Sequence, residues 1–279
     1  MTAGNRSMRK GITTVLIYTA LAMAMVWALL PIVWMVLSSL KTEANMFSMP
    51  PQFSFKPTFA TYAFMFNEGN FSNFLKNSVI AAVSSTFIAL FLGTLGGYAL
   101  ARGNYKRGKD IAFWVISTRM TPIAAAIVPL YLIFAKFHLI GTTFGLVFAY
   151  TTFNLPFALW MMLTFFAELP PDMEHAAMVD GATKFQAFYR IALPQVTPGL
   201  VATGILCLMF AWNDFAFASV FTSHENQTIP VAASLLISQT GIAWGQAMAT
   251  GTVIITPMLL AGLAVRKYLV RGLSMGAVK

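Results

Sequence analysis

Charge is scarce along this chain. Asp, Glu, Lys and Arg together supply 10% of its 279 residues, against roughly 25% in an average soluble domain. A water-soluble globular fold is excluded, because so few ions cannot cover its surface. Acids are scarcest, with nine Asp and Glu against 18 Lys and Arg, and Asp214 is the only one that falls inside an apolar segment. A proton- or sodium-coupled carrier usually places several carboxylates or broken helices near the midplane, so that class is disfavoured. The lone Cys207 offers neither a disulfide nor a metal pair. The three histidines, His138, His175 and His224, are scattered over different loops. No Walker A segment and no Gly-x-Ser-x-Gly elbow occurs. The sequence therefore carries no catalytic constellation, no metal site and no nucleotide site of its own.

What is present is apolar. Hydrophobic residues make up 58% of the chain and its mean hydropathy is +0.71. Six windows are each long enough to cross about 30 Å of hydrocarbon as a helix: Thr13–Leu40, Ser78–Ala101, Ile111–Phe134, Thr143–Phe166, Gly199–Phe221 and Ala247–Val265. The first follows Arg6, Arg9 and Lys10, but its apolar run exceeds a signal-peptide core and no small-residue cleavage pattern follows it. It is read as a first membrane helix. Thirteen Lys and Arg fall on one side of this six-span layout and four on the other, with Arg119 inside a span. The positive-inside bias then puts both termini in the cytoplasm. The expected fold is an all-α integral membrane protein of six transmembrane helices, one domain over residues 1–279. The net charge of +9 is explained by that asymmetry and by anionic lipid, so no nucleic-acid partner is inferred. The external stretch Lys41–Asn73 is rich in Pro and Phe and suits a segment lying on the outer interface.

Between the fourth and fifth windows lies a polar loop, about 168–198, containing EHAAMVDGATKFQAFYRIALPQVTP from Glu174. Pro170 and Pro171 preset a helix start, and Asp172 and Glu174 place negative charge in its first turn, where the helix dipole favours it. Gly181 after Asp180 is a helix-ending left-handed position, and Thr183 with Gln186 has the spacing of a capping box for a second helix. Ala176, Ala177, Gly181 and Ala182 are small, so another protein can approach the turn closely. On these features alone the loop is either a docking surface or an ordinary cytoplasmic helical hairpin.

Polar groups at membrane depth form the second set of candidate residues, since a charge there costs at least a few kcal/mol and usually faces protein or water. Arg119 sits beside Pro122 in the third window, Asn213 and Asp214 lie in the fifth, and Asn154 precedes Pro156 in the fourth. They either line a hydrophilic translocation pathway or are structural, with Arg119 pairing Asp214 or with contacts to a partner subunit's helices.

The run E-x-A-A-x-x-D-G-A from Glu174, with Phe188 and the I-x-L-P at Ile191–Pro194, resembles the EAA loop of permease subunits in binding-protein-dependent ABC importers. Pro129-Leu130-Tyr131, Leu155-Pro156-Phe157, Trp212-Asn213-Asp214 and the ending Gly272–Lys279 extend the resemblance over nearly the whole chain, to the shorter permease of maltose-type carbohydrate importers. In many relatives the residue directly before Ala-Ala is glutamate; here it is His175. The resemblance implies an ABC type I importer permease in the bacterial cytoplasmic (inner) membrane, paired with a second permease as a heterodimer. Two copies of an ABC ATPase, which bind ATP and Mg, and an extracytoplasmic solute-binding protein complete the implied complex. It implies a coupling loop at Glu174, His175, Ala176, Ala177, Asp180, Gly181 and Ala182, and a cytoplasmic tail at about 266–279 against the ATPases. The expected cargo is a carbohydrate or polyol; an osmolyte permease or a non-transporting docking subunit are the alternatives.

Overall fold

A computed structural model of the protein describes residues 3–103, 105–238 and 241–275, and their side chains over 12–103, 105–237 and 241–264. Helix dominates, because backbone in hydrocarbon must satisfy its own N–H and C=O groups. Four helices are long and apolar enough to span a membrane: Ile12–Ser39, Phe71–Arg102, Thr143–Glu168 and Trp244–Ala264. Two bent pairs bring the count to six if each is one span. Gly108–Thr118 meets Ile123–Lys136 at 93°, and Lys184–Gln195 meets Thr197–Trp212 at 72°. Among the described residues the only strand pairing is a two-residue antiparallel ladder, Ile237 opposite Ile242 and Ser238 opposite Gly241.

Two of the six windows are broken in the structure, the third, where prolines and polar residues interrupt the apolar run, and the fifth, whose run is apolar enough to predict one helix. The third is interrupted at Thr118–Pro122: a single 3-10 turn, Thr118–Met120, gives way to extended backbone at Thr121, ψ 129°. Pro122 disfavours helical geometry in the residue before it and contributes no N–H of its own. The fifth stops at Trp212 and resumes as a short helix, Ala216–Phe221. Pro156, by contrast, is absorbed inside the unbroken helix Thr143–Glu168. The last helix runs without interruption from Trp244 to Met275, so residues 266–275 of the expected tail are helical. Gly276–Lys279 lie outside the described residues.

The described chain forms two compact units. In the first, residues 1–69 with 236–255, Ser39 Oγ and Tyr62 Oη lie 2.8 Å apart. Lys41 is buried, its ammonium 4.8 Å from the Trp34 ring and 5.0 Å from that of Phe55. Aromatic faces thus hold a cation that the charge count had placed simply at the outer interface. The second unit, residues 70–235 with 256–279, is built on the packing of Phe71–Arg102 against Thr143–Glu168. Gly93 and Gly97, one turn apart, let the two backbones touch. A Cβ on Gly93 would lie 2.8 Å from Leu159 N, and one on Gly97 2.7 Å from Leu163 N. This is the small-residue packing that replaces hydrophobic driving force inside lipid. Thr197–Trp212 completes the layer, with Ala89, Ala158 and Cys207 fully buried between the three helices.

Overpacking such a contact typically costs about 1–3 kcal/mol. Gly97→Val is expected to lower the thermal unfolding midpoint of the purified protein in detergent. Gly262→Val, where an added Cβ meets nothing within 4 Å, should leave it unchanged.

Candidate coupling loop and membrane-depth polar groups

The polar loop folds as its local chemistry dictates. A helix spans Asp172–Val179 with Pro171 at its N-cap. It closes through Gly181 N to Met178 O, 3.1 Å, and Ala182 N to Ala177 O, 3.0 Å, the pair of reversed bonds that a left-handed residue permits. That residue is Gly181, at φ +93°. Thr183 then caps Lys184–Ala187 in a full capping box: Gln186 N donates to Thr183 Oγ1 at 3.2 Å and Thr183 N to Gln186 Oε1 at 2.8 Å. A π turn, Phe188–Ala192, leads toward Thr197–Trp212.

Glu174 does not face outward with the rest of the motif. It is 5% exposed. Its Oε2 accepts from Tyr98 Oη at 2.6 Å and its Oε1 from Arg102 Nε at 2.7 Å, while Arg102 Nη2 donates to the Leu169 carbonyl at 3.0 Å. This is the one salt bridge among the described residues. Beneath it the Tyr98 ring meets Phe166 and Phe188, at centroid distances of 5.2 and 4.5 Å, on a core of Met162, Phe166, Phe188, Ala192 and Val196. The 172–179 helix is thereby fastened to the ends of two spans that the basic residues mark as cytoplasmic. Both lone-pair faces of the carboxylate are engaged, and these charge-assisted bonds are the strong kind.

The opposite face is open. Residues i, i+3, i+4 and i+7 share one side of a helix, and here Asp172, His175, Ala176 and Val179 are all exposed. Ala177 is half-buried, and Asp180 and Gly181 are exposed at the turn with Ala182 half-buried beyond. Val179 is 86% exposed and Phe185 71%, a pair of apolar projections beside a flat, small-residue surface. The carboxylate of Glu174 points the other way, so it presents no charge on the exposed face that carries His175.

The membrane-depth residues separate into two kinds. Asn154 is 1% exposed, and its Nδ2 donates to the Cys207 carbonyl at 3.1 Å, stapling two spans. Asp214 Oδ1 accepts from Phe217 N and Ala218 N, at 3.0 and 3.2 Å; it caps the short helix that restarts the fifth span. Asn213 Nδ2 bonds back to Met209 O at 2.8 Å and lies 3.4 Å from Met258 Sδ. Arg119 is different. Among the described residues it makes no salt bridge, so an Arg119–Asp214 pair is not formed. Its guanidinium carbon lies 4.3 to 4.7 Å from the ring centroids of Phe210, Phe153 and Phe157. A cavity of about 200 Å³ opens beside it, bordered by Thr118, Thr121, Thr152, Phe153 and Phe217.

The described residues thus form apolar helices, a polar loop tied to two of them, and a membrane-depth cation, Arg119, that no carboxylate pairs. The family model for the inner membrane component of binding-protein-dependent transport systems matches residues 93–275, more than half of the chain. The chain belongs to that family. The trehalose/maltose transport system permease protein MalG of Thermococcus litoralis is 33% identical over 95% of this chain and 96% of its own length. The sulfoquinovosyl glycerol transport system permease protein SmoH of Agrobacterium fabrum is 32% identical over 94% and 93%. Among solved structures, a bacterial ABC transporter involved in import of the acidic polysaccharide alginate matches with a TM-score of 0.78 at 20% identity, covering 96% of this chain and 98% of the other. The fold is that of an ABC type I importer permease. Members are transport components, not enzymes.

Sequence reasoning missed Tyr98 and Arg102 as partners of Glu174, and the three phenylalanines around Arg119. An Arg at the end of a span reads as an orientation signal, and Phe in an apolar window reads as lipid-facing; neither type announces a long-range contact. Removing one partner of a buried ion pair costs about 3 kcal/mol or more. Glu174→Ala is therefore expected to leave the protein in the membrane while amide exchange across 172–192 rises by an order of magnitude or more. Tyr98→Phe, which loses one hydrogen bond worth about 1 kcal/mol, should raise it only several-fold.

Proposed function

We propose that this chain is a transmembrane subunit of a bacterial importer that carries a sugar or polyol inward across the cytoplasmic membrane. It works as a heterodimer with a second permease, two ATP-hydrolysing subunits at the inner face and an extracytoplasmic solute-binding protein. The observation that carries this reading is the buried Tyr98–Glu174–Arg102 tie. It makes the 172–179 helix a stiff extension of the second and fourth spans, so displacement of its exposed face moves those spans as well. Closure of the ATPase subunits on ATP supplies the displacement, and the spans reorient the solute passage. The relatives named for trehalose/maltose and sulfoquinovosyl glycerol transport, and the alginate importer, support a carbohydrate cargo.

In this reading His175, Ala176, Val179, Asp180 and Gly181 meet the ATPase, while Glu174 positions them. Ala177 and Ala182 keep the helix and the turn thin enough for close approach. Within the passage, Arg119 faces its cavity, Asn213 and Asp214 shape the break that lets the fifth span bend, and Asn154 holds the fourth span against it.

The test is at Gly181. No atom lies within 4 Å of a Cβ added there, so a substitution strains the backbone alone, by roughly 1–2 kcal/mol. Gly181→Asp, which also adds charge to the docking face, should abolish ATPase co-purification and solute-stimulated ATP hydrolysis. Gly181→Asn, better tolerated in the left-handed region, should retain part of both. Wild-type coupling in Gly181→Asp would overturn the lever.

A further inference from the structure

Among the described residues the cation at Arg119 has no anion of its own. Its Nη1 is shielded from solvent and donates to no atom of the described residues. The phenyl rings of Phe153, Phe157 and Phe210 stabilise the positive charge but carry no oxygen or nitrogen to accept from its N–H groups. A guanidinium at this depth is costly without a counter-charge. Its fixed fork of donors matches an oxyanion in two-point contact.

The cavity beside it is polar on one rim and apolar on the other. Thr118 Oγ1 donates to Val115 O at 2.7 Å and Thr152 Oγ1 to Phe148 O at 2.9 Å. Each hydroxyl proton is thus committed to its own helix, and what these two threonines offer a visitor is lone pairs. They are acceptors for hydroxyl protons. Phe153, Pro156 and Phe217 supply the apolar rim, suited to the C–H face of a sugar ring. A site with one charged fork, two acceptor hydroxyls and an aromatic wall has the donor and acceptor pattern of a hydroxylated ring bearing an anionic group.

We propose that this cavity is a solute subsite for an anionic sugar, with Arg119 binding its carboxylate or sulfonate, Thr118 and Thr152 accepting from ring hydroxyls and Phe153 packing on the ring face. The assignment rests on the reading of the chain as a sugar permease and narrows its cargo to acidic sugars. A neutral sugar entering the cavity leaves the guanidinium unbalanced, so the subsite discriminates by charge.

The probes are galacturonate and methyl galactopyranoside, an anionic sugar and a neutral one of similar shape. They are titrated against the complete importer in lipid nanodiscs, without solute-binding protein, by saturation-transfer NMR. The intact complex should bind galacturonate about tenfold or more tighter than the neutral sugar, the worth of one charge-assisted contact. Arg119→Gln should erase the difference. Arg119→Lys, keeping charge but not the fork, should retain part of it, and Thr152→Val should weaken both probes alike. Equal binding of the two sugars by the unaltered complex, undetectable binding of galacturonate, or a preference that survives in Arg119→Gln overturns the subsite. Equal binding together with loss of the second permease from Arg119→Gln overturns it too, and assigns the missing anion to that subunit. ATP-driven uptake of the cognate solute is measured on the same complex. Uptake without anion preference refutes the subsite alone; anion binding with no uptake refutes the importer reading.

Discussion

A carboxylate taken out of water must be fully paired, and Glu174 is paired to groups from a span rather than from its own loop. That constraint organises one end of the second unit. Arg102 reaches both the carboxylate and the Leu169 carbonyl, so one guanidinium fixes the exit of the fourth span and the start of the 172–179 helix together. Tyr98 brings its ring into the aromatic core while its hydroxyl completes the carboxylate's shell. An eight-residue helix has too few internal hydrogen bonds to persist alone; here its order is borrowed from two long spans. A force applied to its exposed face would be opposed by charge-assisted bonds on the other.

The same economy governs charge deeper in the membrane. Asp214 is spent on the amides of a restarting helix, and Asn154 on a carbonyl across a helix interface. Both solve problems that the chain creates by breaking or crossing helices. Arg119 solves no such problem. Its surroundings stabilise a positive charge without neutralising it, and among the described residues no carboxylate pairs with it.

Where the sequence was informative, the signal was local. The start at Pro171, the left-handed Gly181 and the Thr183–Gln186 capping box are rules about neighbours within a few residues, and each appears in the structure. The six apolar windows were legible because hydrocarbon thickness sets a length. What stayed hidden was relational. Position 174 and position 175 look alike as motif members, yet a rotation of about 100° per residue buries one and exposes the other. The break in the third window was marked by Pro122, but Pro156 sits in an intact helix; whether a proline bends a span depends on neighbours that supply the packing, and sequence periodicity does not contain them. The partnership of Arg119 with three phenylalanines from two other spans needed the tertiary fold to be seen.

The turn at Gly181 imposes a restriction of handedness and none of volume. Space surrounds the position of its missing side chain, so a D-alanine would fit there where an L-alanine is strained. Within this chain, the tolerance of the turn to change at that point is set by mirror symmetry. Size would become a criterion only through a second surface pressed against it, so the chain and such a surface would restrict the same residue through two independent physical properties.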